Sequence, residues 1–404
     1  MAFLSNVSES SFWSCLAELS KELQSRESAT KLLERIKITD KSEKSIHATK
    51  ILSRYEVMQL IEEHITTFLR ALHNRELPKF VFNKRGGSNN TIFKEDLGVQ
   101  MLGDVTKHEI SLENQASLHK YAVMITCLSS CYKLLQENKH STKRDLYYSN
   151  VNFYQTQHAV DEAVSDISCM LGVPRHALHI LSSSKGLLYG DLSFSDNDGN
   201  IIVCYENGVQ VPNHVSCIRN FQSNARYILV IEKEATYQRL VEYKLNEKLG
   251  PCILMTGKGF PDINTRMLLR KLWDALHIPV LALVDADPHG IEIMCIYKYG
   301  SKSLSHEASN LTCPVIKWLG VQPKDIGLVN IADTFLIPLS DADKKKANDL
   351  LKRNYIMQQP HIVTQIELLL SRGLKAEIEC LDSISHSFMT DIYLPHKIRN
   401  GDWL

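Results

Sequence analysis

Tyr-Ile-Leu-Val-Ile-Glu-Lys (Tyr227–Lys233) sets an unbroken apolar run directly before a carboxylate. Short runs of this kind, rich in β-branched residues, suit strands buried on both faces of a parallel sheet. The same grammar returns at Cys252–Met255 and in Val-Leu-Ala-Leu-Val-Asp-Ala-Asp (Val280–Asp287). Between these runs, Ala235–Leu249 and Asn264–Leu276 carry helical spacing. Strand–helix alternation predicts a doubly wound α/β unit, with ligands gathering at the carboxyl ends of the strands. Glu232, Asp285 and Asp287 fall at those ends.

Upstream the rhythm is helical. Ile61, Ile65, Phe68, Leu69 and Leu72 form a stripe within Arg54–Leu72, and a longer helix is expected over Asn114–Gln136. A further helix fits Val160–Leu171, stopped by Gly172, with Pro174 opening a short one. Asp198-Gly199 then reads as the turn of a hairpin joining Gly186–Phe194 to Ile201–Tyr205. Helices followed by a hairpin are the order of a winged helix. Downstream, Ala347–Leu370 reads as helix broken at Pro360. Residues 1–50 are rich in Ser, Lys and Glu, with an amphipathic stretch at Phe12, Leu16, Leu19 and Leu23.

Composition bounds the function. The chain has 404 residues, and its 46 Lys and Arg balance 46 Asp and Glu. That excludes a protein basic throughout, so any nucleic-acid contact must use a local basic face. The 10 cysteines show no CxxC pair and read as reduced, mostly buried thiols. No apolar run reaches the roughly 18 residues of a membrane span, and no signal peptide is expected at the start.

Carboxylates at i and i+2 past one strand, with a third past a neighbouring strand of the same sheet, can grip a divalent ion. Mg²⁺ prefers such hard oxygen ligands together with substrate phosphates. Asp341-Ala342-Asp343 repeats the tripeptide but follows Ser340 and precedes three lysines, which suits a helix N-terminus instead. Gly257-Lys258-Gly259 offers a backbone nest but lacks the full P-loop pattern. Lys-Arg-Asp-Leu-Tyr-Tyr (Lys143–Tyr148) is the second chemical feature. Ser141 and Thr142 are candidate caps for this turn. One ring of the doublet is expected to pack inward and the other to face out. A tyrosyl hydroxyl can attack a phosphodiester when a cation is near, and Arg144 shares a helical face with Tyr148. Lys143 and Lys185 are further phosphate candidates.

Five blocks in this order carry a resemblance: Lys143–Tyr148, Ser184–Leu187, Glu232–Thr236, Gly257–Asp262 and Asp285–Gly290. From about Phe93 onward the chain resembles the meiotic double-strand-break transesterases, the eukaryotic relatives of the topoisomerase VI A subunit. The resemblance implies a mixed α/β protein with a winged-helix (CAP-like) domain over 93–220 and a Toprim Rossmann-like domain with a helical extension over 221–404. Residues 1–92 would be a variable arm and helix that contacts partners. It implies Tyr148 as nucleophile, Arg144 beside it, and Glu232, Asp285 and Asp287 as Mg²⁺ ligands. Lys185 and Phe260 would lie near DNA. It further implies double-stranded DNA as substrate and a homodimer when active. Meiotic accessory proteins and a B-type topoisomerase-VI-like subunit would be partners, and the nucleus its residence. The alternatives are an A subunit that reseals DNA, a Toprim hydrolase or primase-like enzyme with structural tyrosines, and a noncatalytic winged-helix scaffold.

Overall fold

The computed structural model describes residues 13–22, 24–25, 46, 49–87, 89–103, 105–113, 115–205, 208–329 and 331–404. Phe12 and Leu23 lie outside them; Leu16 and Leu19 are buried.

A helical body comes first. α1 (Arg54–His73) starts at Ser53, whose side chain and that of Glu56 form a reciprocal capping box. It buries Val57, Ile61 and Phe68, whereas Ile65, Leu69 and Leu72 of the expected stripe are exposed. α2 (Gln115–Glu137) lays Met124, Cys127, Leu128, Cys131 and Leu135 into the same core. α3 (Lys143–Tyr148) follows, and then α4 (Gln157–Leu171), which ends at Gly172 in the left-handed conformation. An antiparallel strand pair, Lys79–Asn83 with Lys107–Ser111, closes this core through Phe80, Phe82 and Ile110.

The larger body is built on a six-stranded sheet. Its strands are β1 (Leu187–Gly190), β2 (Val209–Gln210), β3 (Ile228–Ile231), β4 (Ile253–Thr256), β5 (Val280–Leu283) and β6 (Lys317–Gly320), in the order β2-β1-β4-β3-β5-β6. β3 is central and pairs in parallel with β4 and β5, so Ile231 lies opposite both Thr256 and Leu283. All residues of these three strands are buried. α5 (Glu234–Glu242), α6 (Ile263–Leu276) and α7 (Pro288–Tyr299) connect and cover them. The helix expected through Leu249 breaks at Lys244, which is left-handed. α8 (Asp341–Leu351) and α9 (Pro360–Arg372) form the extension, with Pro360 opening α9 rather than breaking a longer helix. Asp341 and Asp343 occupy the first turn of α8, and Ser340 and Asp343 cap it reciprocally, as expected of a helix start.

One expectation is corrected. The hairpin read as the wing of the helical body is split. β1 joins the large sheet antiparallel to β4. The true hairpin, Ser193–Ser195 with Ile201–Val203, turns at Asp198-Gly199 and buries Leu192 and Phe194 in the large body's core. Along the chain the two cores interleave. The helical core reaches back to Val57, and the large core takes in Val99 and residues from Leu188 onward. The reason is a second hairpin, Thr91–Lys94 with Gly98–Met101, which leaves the helical strand pair and enters the large body. There Phe93 packs edge-on against Tyr299 at 5.1 Å, and Thr312 donates to the Leu97 carbonyl at 3.2 Å.

Candidate active site

A six-residue helix has no stability of its own in water. α3 is held by its neighbours. Thr142 and Asp145 cap it reciprocally. Leu146 is buried in the helical core, worth about 1.5–3 kcal/mol for such a side chain, and Tyr147 packs against it. Lys143 Nζ donates to the Asp161 carbonyl at 3.1 Å and to Ser165 Oγ at 3.4 Å, both on α4. With Leu146 and Lys143 facing inward, Tyr148 faces out and is 67% exposed. Its ring touches that of Tyr147 at 5.3 Å, tilted by 54°. Arg144 is exposed on the same short helix. Lys143 braces the helix from inside: burial pushes its pKa down, and it donates to two groups on α4.

The acids lie on the other body. The Glu232 backbone continues the ladder past β3 by donating to the Leu283 carbonyl at 3.0 Å. Its side chain folds back, and Oε2 accepts the backbone N–H of Asp285 at 2.8 Å. Asp285 in turn accepts from Ile378 N at 2.8 Å through Oδ1 and pairs with Lys233 Nζ at 3.1 Å through Oδ2. Asp287 caps α7, accepting from Gly290 N at 2.7 Å. Burial, reinforced by the negative charge of Asp285, holds the Glu232 carboxyl well above the usual range. Burial likewise raises Asp285, opposed mainly by Lys233. Two buried carboxyls that resist ionising side by side are relieved by a cation.

A cradle supports this. A Cβ on Gly290 would lie 2.4 Å from the Asp285 carbonyl oxygen and 3.0 Å from Glu232 Oε2. The donor set of hard oxygens suits a divalent ion. Among the described residues, however, no three side chains of Asp, Glu, His or Cys converge as a closed metal cage. The reason is local: Lys233 occupies one oxygen of Asp285, and Asp287 is turned to its helix cap.

Lys185 and Phe260 come to the same edge of the sheet. Gly259 N donates to the Glu232 carbonyl at 2.8 Å, which holds the 257–260 loop against the acids. Lys185 Nζ donates to the Lys258 carbonyl at 3.1 Å, and Phe260 is 44% exposed beside it. Tyr148 and Arg144 thus form one group and the acids, Lys185 and Phe260 another. Sequence reasoning missed Lys233 as a partner of the acids, along with Glu377 and Glu379, which share its ammonium at 3.1 and 2.8 Å. The alternating acids of Glu377-Ile378-Glu379 were the available signal.

Residues 227–398 match the family profile of the Toprim domain shared by Spo11 and the topoisomerase 6 A subunit, and residues 119–180 match that of type IIB DNA topoisomerase. The chain is 43% identical to the mouse meiotic recombination protein SPO11 over 88% of its own length and 91% of the relative's. Similarity to the human protein of that name is 42%, over 88% and 90%. Similarity to the A subunit of DNA topoisomerase 6 from Arabidopsis thaliana is 38%, over 72% and 68%.

Proposed function

This chain belongs to the family of the meiotic recombination protein SPO11 and the topoisomerase 6 A subunit; from that premise we propose that it makes the DNA double-strand breaks of meiotic recombination by transesterification. The Tyr148 hydroxyl attacks a backbone phosphorus and gives up its proton. The bond from phosphorus to the 3′ oxygen breaks. The 5′ phosphate becomes esterified to the tyrosine, and the leaving strand takes a proton to end in a 3′-hydroxyl. No nucleotide is consumed, because one phosphoester replaces another. Arg144, on the same helical face, steadies the charge on the attacked phosphate.

The metal of the Toprim domain is, in this reading, Mg²⁺ held by Glu232, Asp285 and Asp287. When bound it supplies a positive charge against the phosphate oxygens. Lys185 and Phe260 line the approach of DNA to that edge. Tyr148 and the acids sit on separate bodies of one chain, which supports a homodimer in which the tyrosine of one copy serves the metal site of the other. Meiotic accessory proteins and a B-type subunit complete the assembly on chromosomes in the nucleus.

The observation that carries this reading is a braced, outward-facing Tyr148 in the same chain as the buried Glu232–Asp285 pair. The test is a covalent-adduct assay in meiotic cells carrying wild type, Tyr147→Phe or Tyr148→Phe. The protein is recovered under denaturing conditions and attached DNA is labelled at its 3′ end. Label lost only with Tyr148→Phe is the expected result. Label that survives Tyr148→Phe moves the nucleophile elsewhere, and none in wild type leaves a DNA-binding scaffold.

A further inference from the structure

Lys233 follows a metal-site acid directly, and its ammonium touches three carboxylates: Asp285 at 3.1 Å, Glu377 at 3.1 Å and Glu379 at 2.8 Å. These come from two different parts of the chain. Asp285 stands at the end of the sheet, while Glu377 and Glu379 belong to the extension. The extension is registered against the metal edge by the main chain, since Ala286 and Ala376 exchange backbone hydrogen bonds at 2.9 and 3.3 Å. Ile378, between the two glutamates, donates to Asp285 Oδ1. That leaves Oδ2 as the oxygen open to a cation, and Lys233 holds it.

An ammonium and a divalent ion on the same carboxylate oxygen repel each other. In a partly buried site that repulsion is stronger than in water, and the second charge of a divalent ion doubles it. Lys233 has somewhere to go. Glu379 is fixed by Thr236 Oγ1 at 3.2 Å as well as by the lysine, and Glu377 is half exposed.

Resting on the metal reading above, we propose that Lys233 is a resident placeholder for the divalent ion. Its ammonium occupies Asp285 while the metal is absent and is retained by Glu377 and Glu379 when the metal arrives. Glu377 and Glu379 are then positioning residues: they set how readily Asp285 is released to the ion.

The test is Mn²⁺ binding to the full chain without DNA, read from the loss of the free-ion signal in electron paramagnetic resonance. The variants are Lys233→Met, Lys233→Gln and the double change Glu377→Gln with Glu379→Gln, each checked for wild-type circular dichroism. Removing the lysine charge is expected to lower the Mn²⁺ midpoint about tenfold, a change of about 1.4 kcal/mol. The double variant is expected to raise it about tenfold, because the ammonium then has only Asp285. A higher midpoint in both lysine variants would overturn the proposal, since the lysine would then be arranging Asp285 rather than competing for it. An unchanged midpoint in the double variant would do the same. Wild type that takes up no Mn²⁺ at this site would overturn the metal assignment itself, a result distinct from either.

Discussion

Glu232 and Asp285 are joined through the backbone as well as through space: the N–H of Asp285 donates to Glu232 Oε2 at 2.8 Å. The bond fixes one carboxylate of the metal edge by the strand end that carries the other. By itself it favours the ionised Glu232 carboxylate, whereas burial and the neighbouring charge of Asp285 favour the protonated form and prevail.

Stability should therefore depend on pH with a definite sign. Burial and the charge of Asp285 raise the Glu232 carboxyl in the folded chain above its unfolded value near 4.3. The folded state then holds a proton that the unfolded state has released, and stability falls as pH rises between the two values. The unfolding free energy without added divalent ion is expected to fall from about pH 5 to about pH 8, by up to about 1.4 kcal/mol per pH unit from this group. Glu232→Gln should flatten that slope, and a divalent ion should reverse it. Equal slopes in wild type and Glu232→Gln, measured by calorimetry, would sink the assignment.

Lys143 and Lys185 look alike in sequence but should behave differently. Lys143→Ala removes an ammonium donating to two groups on α4. The expected result is a loss of about 1–3 kcal/mol in denaturant unfolding, with the salt dependence of DNA binding unchanged. Lys185→Ala should leave stability nearly intact and reduce the slope of log affinity against log salt by about 1. A reversed pattern would make Lys143, and not Lys185, the DNA contact.

Gly290→Ala tests the cradle. The added methyl meets the Asp285 carbonyl oxygen at 2.4 Å and its amide nitrogen at 2.9 Å, with Glu232 Oε2 at 3.0 Å. An overpacking cost of about 1–3 kcal/mol is expected, together with weakened Mn²⁺ uptake. Unaltered uptake in a folded Gly290→Ala chain would place the ion away from Glu232 and Asp285.

What was legible in the sequence followed from burial. Ile228–Ile231 and Val280–Leu283 are apolar at every position because both faces of the sheet are covered, and their acids fall where such strands end. Thr142, Gly172 and Ser340 declared helix ends through their own hydrogen-bonding or backbone chemistry. What was not legible depends on partners far along the chain. The apolar pattern around Leu188 says that a strand is buried, not which sheet takes it. The α1 stripe says that a face is apolar, not that Leu69 and Leu72 stay outside. Nothing local to Lys233 announces Glu377 and Glu379, brought to it by the pairing of Ala286 with Ala376.

The excursion of Thr91–Met101 into the large body has a consequence for how the molecule comes apart. The chain leaves the helical core, packs Phe93 and Val99 into the other core, returns to build α2 to α4, and leaves again as β1. The two bodies are stitched rather than strung. Neither can loosen without pulling a strand or hairpin out of the other, so they should melt in one cooperative transition. A fragment beginning at residue 221 would lack β1, β2 and the inserted hairpin, leaving β4 as a bare edge open to aggregation.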